Sequence, residues 1–92
     1  MKVRDIKEDD IALLAKGLHK VSFFSSFIKS DFEKIAQSFT VQDYDAGEIV
    51  FNAGEKGKSF FIVRDGSVDV VKKKFGIISS VVASLGKLQF FG

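Results

Sequence analysis

Apolar positions along this chain change their spacing once, near residue 40. Before that point they recur at helical intervals. Ile11, Leu14 and Leu18 fall three and four apart, and Phe32, Ile35, Ala36 and Phe39 fall at i, i+3, i+4 and i+7. The first set predicts a helix from Asp9 or Asp10, where the acidic pair suits a helix N-terminus. Gly17 weakens its continuation by about 1 kcal/mol relative to alanine. The second set predicts a helix opened by a capping box, Ser30-Asp31-Phe32-Glu33. Between them, Val21 to Ile28 (VSFFSSFI) is too short for either template, and its aromatic residues are expected to turn back against a sheet. Residues 1–8 carry mixed charge and are expected to be flexible.

After residue 40 the apolar runs become short, β-branched and aromatic, and glycine clusters close them. Thr40 to Tyr44 alternates and predicts a strand that turns at Asp45-Ala46-Gly47. Ile49 to Phe51, Phe60 to Val63, Val68 to Val71 and Ile77 to Leu85 predict four more. Asp65-Gly66 lies between two of these runs and predicts a hairpin joining Phe60–Val63 to Val68–Val71, because a type I′ turn needs positive φ at both central residues. Phe75-Gly76 predicts a second reversal, and Gly86 to Gly92 shows no terminating element. Strands at this spacing, preceded by helices, predict a mainly β chain forming a small antiparallel barrel or sandwich.

Composition narrows the class. Ninety-two residues make one domain at most, and a net charge of +2 is too small to imply a polyanionic partner. No cysteine is present, so disulfides and zinc-thiolate sites are excluded. No apolar run approaches the roughly 18–20 residues of a membrane span, and the charged N-terminus does not read as a signal peptide. A cytoplasmic protein is expected, with no nucleic-acid or membrane partner. Proline is absent, so glycine, aspartate, asparagine and serine must make the reversals. Eleven phenylalanines against one tyrosine and no tryptophan require burial or a covering partner.

Candidate chemistry is sparse. His19 is the only histidine, which excludes a catalytic triad, a histidine metal cluster and the metal centre of a cupin barrel. It is expected to cap or pack beside the first helix. Asp43, Asp45, Glu48 and Glu55 lie in turns, where turn chemistry accounts for them better than acid–base work. Lys72 to Lys74 read as protection of a strand edge rather than a nucleic-acid patch. Gly54-Glu55-Lys56-Gly57-Lys58-Ser59 lacks the spacing of a phosphate loop and leads into a strand, whereas such a loop opens a helix. No enzyme is predicted.

Four segments in order resemble the cyclic nucleotide-binding domain found in catabolite activator-type regulators, kinase regulatory subunits and gated channels. They are Val21 to Phe27, Tyr44 to Phe51, Gly54 to Val63 with Gly66 to Val70 following in register, and Leu85-Gly86-Lys87-Leu88-Gln89-Phe90-Phe91-Gly92. The resemblance covers residues from about 11 to 92. It implies a single partial domain over 1–92, an antiparallel barrel or jelly roll (double-stranded β-helix) incomplete at the C-terminus, and a regulatory, non-catalytic role in signal transduction. The implied ligand is cAMP or cGMP, with no other cofactor. The implied pocket wall is Val70, Val82 and Ala83 against base and sugar, with Phe91 beside them and the Gly92 amide toward the ribose-phosphate. The residue-level alternative makes these alternating core positions of two strands.

Departures from the family pattern qualify this expectation. The family usually has an acidic residue where this chain has Lys58, and a glycine where it has Leu88. In the family the Phe-Gly pair opens a phosphate-binding cassette that continues with a glutamate, a short helix and an arginine, because a cyclic phosphate needs free amides and a guanidinium. Residues 1–92 hold only the first two residues of that element, and Arg4 and Arg64 are not expected to replace the anchor. Two functions follow: a nucleotide-sensing domain whose tight binding is not expected from this chain alone, or a nucleotide-independent barrel scaffold or self-association module, expected to be a homodimer or docked on another domain.

Overall fold

Asp10, 4% exposed, ties the N-terminal elements together. Its carboxylate accepts two bonds from the Arg4 guanidinium, Nη1 to Oδ2 at 2.7 Å and Nη2 to Oδ1 at 3.0 Å. Oδ2 also accepts the Lys7 amide at 2.8 Å, which satisfies one of the donors left open where helix α1 (Glu8–Leu18) begins. Arg4 belongs to strand β1 (Lys2–Asp5), so one side chain fixes both strand and helix start. The bidentate bond to Asp10 is the main reason the Arg4 pKa lies above its ordinary value, with the charges of Asp10, Asp43 and Asp9 acting in the same direction and desolvation opposing them.

The computed structural model describes residues 1–52, 55 and 59–92, and divides the chain into two compact units, Met1–Lys58 and Ser59–Gly92. Expectations resting on Gly54, Gly57 and Lys58 lie outside the described residues. In order the elements are β1, α1, a 3-10 turn at Ser22–Phe24, α2 (Lys29–Ala36), β2 (Thr40–Asp43), β3 (Phe61–Ile62), β4 (Val68–Lys74), β5 (Ile78–Leu85) and β6 (Phe90–Phe91). The protein is thus mainly strands with two α-helices.

In the first unit β1 pairs antiparallel with β2, Lys2 opposite Asp43 and Asp5 opposite Thr40. Lys2–Asp5, within the segment 1–8 expected to be flexible, form this strand. Its charged alternation hid it, because its partner lies across the whole helical segment. Leu14 and Leu18 of α1 and Phe32 and Ala36 of α2 form the buried core, at the positions the helical spacing predicted. The α2 cap falls two residues earlier than the capping box suggested. Ile28 is the N-cap residue and the Asp31 carboxylate accepts its amide at 2.9 Å, leaving Ser30 inside the helix.

The aromatic segment between the helices packs on them. Phe24 lies edge-on to Phe27 at 5.1 Å, Phe27 meets Phe32 at 5.7 Å, and His19 sits edge-on to Phe32 at 4.8 Å. His19 follows α1 as its C-cap residue, and its Nε2 lies 2.9 Å from the Phe27 carbonyl. Among the eleven phenylalanines only Phe32 is fully buried. Glu48 closes the turn after β2 by accepting the Asp45 amide at 2.7 Å and the Met1 ammonium at 2.6 Å. These bonds hold its carboxyl below the usual range. Ile49–Phe51, expected as a strand, is not assigned to a strand among the described residues, and Ile49 is largely exposed.

The second unit departs most from expectation. β3 pairs antiparallel with β6, and β4 with β5, so the described residues form three two-stranded sheets and no closed barrel. The Asp65-Gly66 corner does turn, with Gly66 at φ +83°, but it does not make a hairpin of β3 and β4. The Val63 amide donates to the Gln89 carbonyl at 2.9 Å and the Val63 carbonyl accepts the Leu88 amide at 2.6 Å, so that ladder is already taken by the β6 side. The reversal predicted at Phe75-Gly76 is the real hairpin, with φ +55° and +71° at its two residues.

Removing the carboxylate that joins Arg4, Lys7 and α1 is expected to be costly. Asp10→Ala should lower stability by about 2–3 kcal/mol in urea unfolding, from the lost charged bonds and the open helix start. Asp10→Asn, which keeps an acceptor for the Lys7 amide, should lose less. A change below about 0.5 kcal/mol for the alanine variant would show that the elements hold without the tie.

Candidate functional site

Three of the five expected site residues lie on the β4–β5 hairpin. Val70 and Ala83 are direct cross-strand partners. The register then slips, Val71 pairing with Val81, so that Val82 is the extra residue of a β-bulge. A bulge bends the strand and re-aims a side chain, a device frequent beside binding sites. Val70, Val82 and Ala83 are all exposed, Val70 by 41% and Val82 by 57%. Exposure at this level excludes the reading of them as core residues in this structure.

The other two sit on β6 and just beyond it. Phe91 opposes Phe61, the rings stacked at 4.9 Å and 10°, while Phe60 and Phe90 meet at 5.4 Å. These pairs attach the short β6 strand. Gly92 follows at φ +141°, and a Cβ there would stand 2.6 Å from the Ser59 carbonyl oxygen. Only glycine brings the backbone this close. The structure therefore places the five residues in two groups on two separate sheets.

A turn leads into β6, and the sequence flagged it through Leu88. The Gln89 amide donates to the Gly86 carbonyl at 3.1 Å, and the Gly86 amide returns the bond to Gln89 Oε1 at 2.6 Å. Leu88, third in this turn, has φ +67°, the conformation a type II turn reserves for glycine. The departure from glycine at this position is therefore accommodated in the left-handed region rather than by remodelling the turn.

An anionic ligand needs a cation, and both arginines of the chain hold carboxylates: Arg4 binds Asp10, and Arg64 is paired with Asp65. The hairpin offers Lys72, Lys73 and Lys74, all beyond the bulge toward the tip. The residues present thus supply an apolar wall and a close-set glycine backbone, but no guanidinium committed to a phosphate. A shallow apolar groove of about 290 Å³ lies elsewhere, between α1, α2 and the turn joining them, lined by Ile11, Ala15, His19, Phe27, Ile28 and Phe32. It shares no residue with the expected site. Among the described residues no group of three His, Asp or Glu side chains could hold a metal, and no helix is long and apolar enough to cross a membrane.

Comparison with known proteins matches residues 41–92 to the cyclic nucleotide-binding domain. The chain belongs to the cyclic nucleotide-binding domain family. The match runs from within β2 through β6 and includes both groups of expected site residues. Among similar proteins are the cAMP-dependent protein kinase regulatory subunits of Mycosarcoma maydis, 36% identical over 88% of this chain, and of Schizosaccharomyces pombe, 37% identical over 82%. A cGMP-dependent protein kinase, egl-4 of Caenorhabditis briggsae, is 36% identical over 82%. The chain spans 15%, 17% and 10% of these relatives' lengths. No solved structure matches.

The left-handed backbone at Leu88 makes a prediction that keeps apolar volume constant. Leu88→Ile should cost about 1 kcal/mol in urea unfolding, because a branched Cβ tolerates positive φ worse than an unbranched one. Leu88→Met, unbranched at Cβ, should be nearly neutral. Equal effects from the two would remove the backbone explanation.

Proposed function

We propose that this chain is a non-catalytic regulatory domain, or a fragment of one, that captures a cyclic nucleotide, cAMP or cGMP, and passes the binding energy to a neighbouring domain as a population shift. The observation carrying the reading is the family match over 41–92, which runs across the division at residue 58. That continuity, with a relative aligned over 88% of the chain, supports reading 1–92 as a single domain of the antiparallel jelly-roll class. In this reading Val70, Val82 and Ala83 line the base and sugar, Phe91 backs them, and the Gly92 amide faces the ribose-phosphate. The bulge at Val82 and the close-set backbone at Gly92 suit such roles. A cytoplasmic setting follows from the same kinship with kinase regulatory proteins, and signal transduction from the ligand.

Affinity is a separate matter. With Arg4 and Arg64 both engaged by carboxylates, residues 1–92 offer no guanidinium to pair with a cyclic phosphate. Isothermal titration with cAMP and cGMP should show no saturable sub-millimolar binding to this chain. Saturable binding below that range would mean that another cation serves as the anchor.

A second reading, a nucleotide-independent scaffold or self-association module, is favoured by one observation. Val71, Ile78 and Val81 are about half-exposed on β4–β5, and each described sheet has only two strands. Sedimentation at tens of micromolar should then show a homodimer; a compact monomer would remove this reading.

A further inference from the structure

The tip of the β4–β5 hairpin carries a combination that neither the fold nor nucleotide capture uses. Phe75 is 89% exposed and Ile77 84% exposed, the most exposed large apolar side chains among the described residues. Phe75 also stands at φ +55°, where asparagine or glycine would form the turn more easily. A bulky ring in a left-handed turn, packed against nothing, is accounted for by neither local conformation nor burial.

Charge around the tip is one-sided. Lys72, Lys73 and Lys74 immediately precede Phe75, and Asp69 is the last acidic residue of the sequence. From Val70 to Gly92 the ionisable side chains are Lys72, Lys73, Lys74 and Lys87 alone. Lys72 and Lys74 alternate with Lys73 across the ribbon, so both faces of the hairpin present ammonium groups just behind the apolar tip. Opposite them stand Ser80, Ile78 and Ser79, which offer no countercharge. The net charge of +2 spreads this local excess over the whole chain and so conceals it.

We propose that this tip docks on an anionic lipid surface, Phe75 and Ile77 entering the interface while Lys72, Lys73 and Lys74 meet the headgroups. The absence of a long apolar run argues against a span, not against a contact of this kind. An aromatic and an aliphatic wedge together suit the headgroup–acyl boundary. A nucleic acid would use the ring by stacking but would gain little from an isoleucine. Basic residues next to an anionic membrane each strengthen binding by roughly fivefold, so three supply about a hundredfold, and screening by salt must weaken it. The inference rests on the hairpin alone and is independent of nucleotide binding.

The chain contains no tryptophan, so Phe75→Trp supplies a single reporter at the tip. Its emission should shift to the blue with vesicles of phosphatidylcholine containing about one-third phosphatidylserine, and stay unchanged with phosphatidylcholine alone. In co-sedimentation with the same vesicles, replacing Lys72, Lys73 and Lys74 together by glutamine should weaken binding about a hundredfold. Phe75→Asn, which suits the turn's φ, and Ile77→Thr, which keeps the β-branch, should each weaken it several-fold with unchanged far-ultraviolet circular dichroism. No binding to the phosphatidylserine vesicles at low salt would overturn the proposal. So would binding undiminished by Phe75→Asn and Ile77→Thr, or binding to a DNA oligonucleotide tighter than to vesicles, since either marks a general polyanion contact.

Discussion

One carboxylate organises the N-terminal unit. Asp10 is almost wholly removed from solvent, and such a group is tolerable only when its acceptor positions are filled. Here two guanidinium bonds and one backbone amide occupy three of them. Because the guanidinium comes from β1 and the amide from the residue before α1, satisfying the charge also sets where the strand ends and the helix begins. The apolar stripe of Leu14 and Leu18 is thereby aimed at Phe32 and Ala36. The same bond withdraws Arg4 from any other anion, so a structural requirement in one unit bears directly on what the chain can bind.

The C-terminal unit depends on a different economy. Its strands are short, and β6 has two residues, too few for backbone bonds alone to hold it. Phenylalanine pairs supply the difference: Phe61 on Phe91, and Phe60 near Phe90. The chain that returns to this pairing passes through a turn with Leu88 in the left-handed region, and ends against the Ser59 carbonyl, where only glycine fits. Leu88 and Gly92, at the two ends of this short stretch, both hold positive φ.

Membership of the cyclic nucleotide-binding domain family accounts for the likeness of residues 41–92 to other proteins. It does not explain the hairpin tip, where a ring and a β-branched residue stand in solvent ahead of three lysines. A ligand wall toward one end of the β4–β5 ribbon and a basic apolar tip at the other would give one element two surfaces, separated by the register slip at Val82.

The helices were legible in the sequence because their signal is local. Spacings of three and four residues, and an acidic residue near each start, act through neighbours within two turns, and they located Leu14, Leu18, Phe32 and Ala36 in the core. The Phe75-Gly76 reversal was legible for the same reason, since φ belongs to the residue itself. Strand pairing is not local. β1 looked like a charged tail until β2 met it, and Asp65-Gly66 looked like a hairpin until Val63 bonded with Leu88 and Gln89. The expected site divides likewise: family resemblance alone named its residues, while only the tertiary structure exposed Val70 and Val82, pressed Gly92 against Ser59 and committed both arginines to carboxylates. Sequence determined which stretches could turn, coil or extend. Competition among distant backbone groups and charges for the same partners decided which of them met.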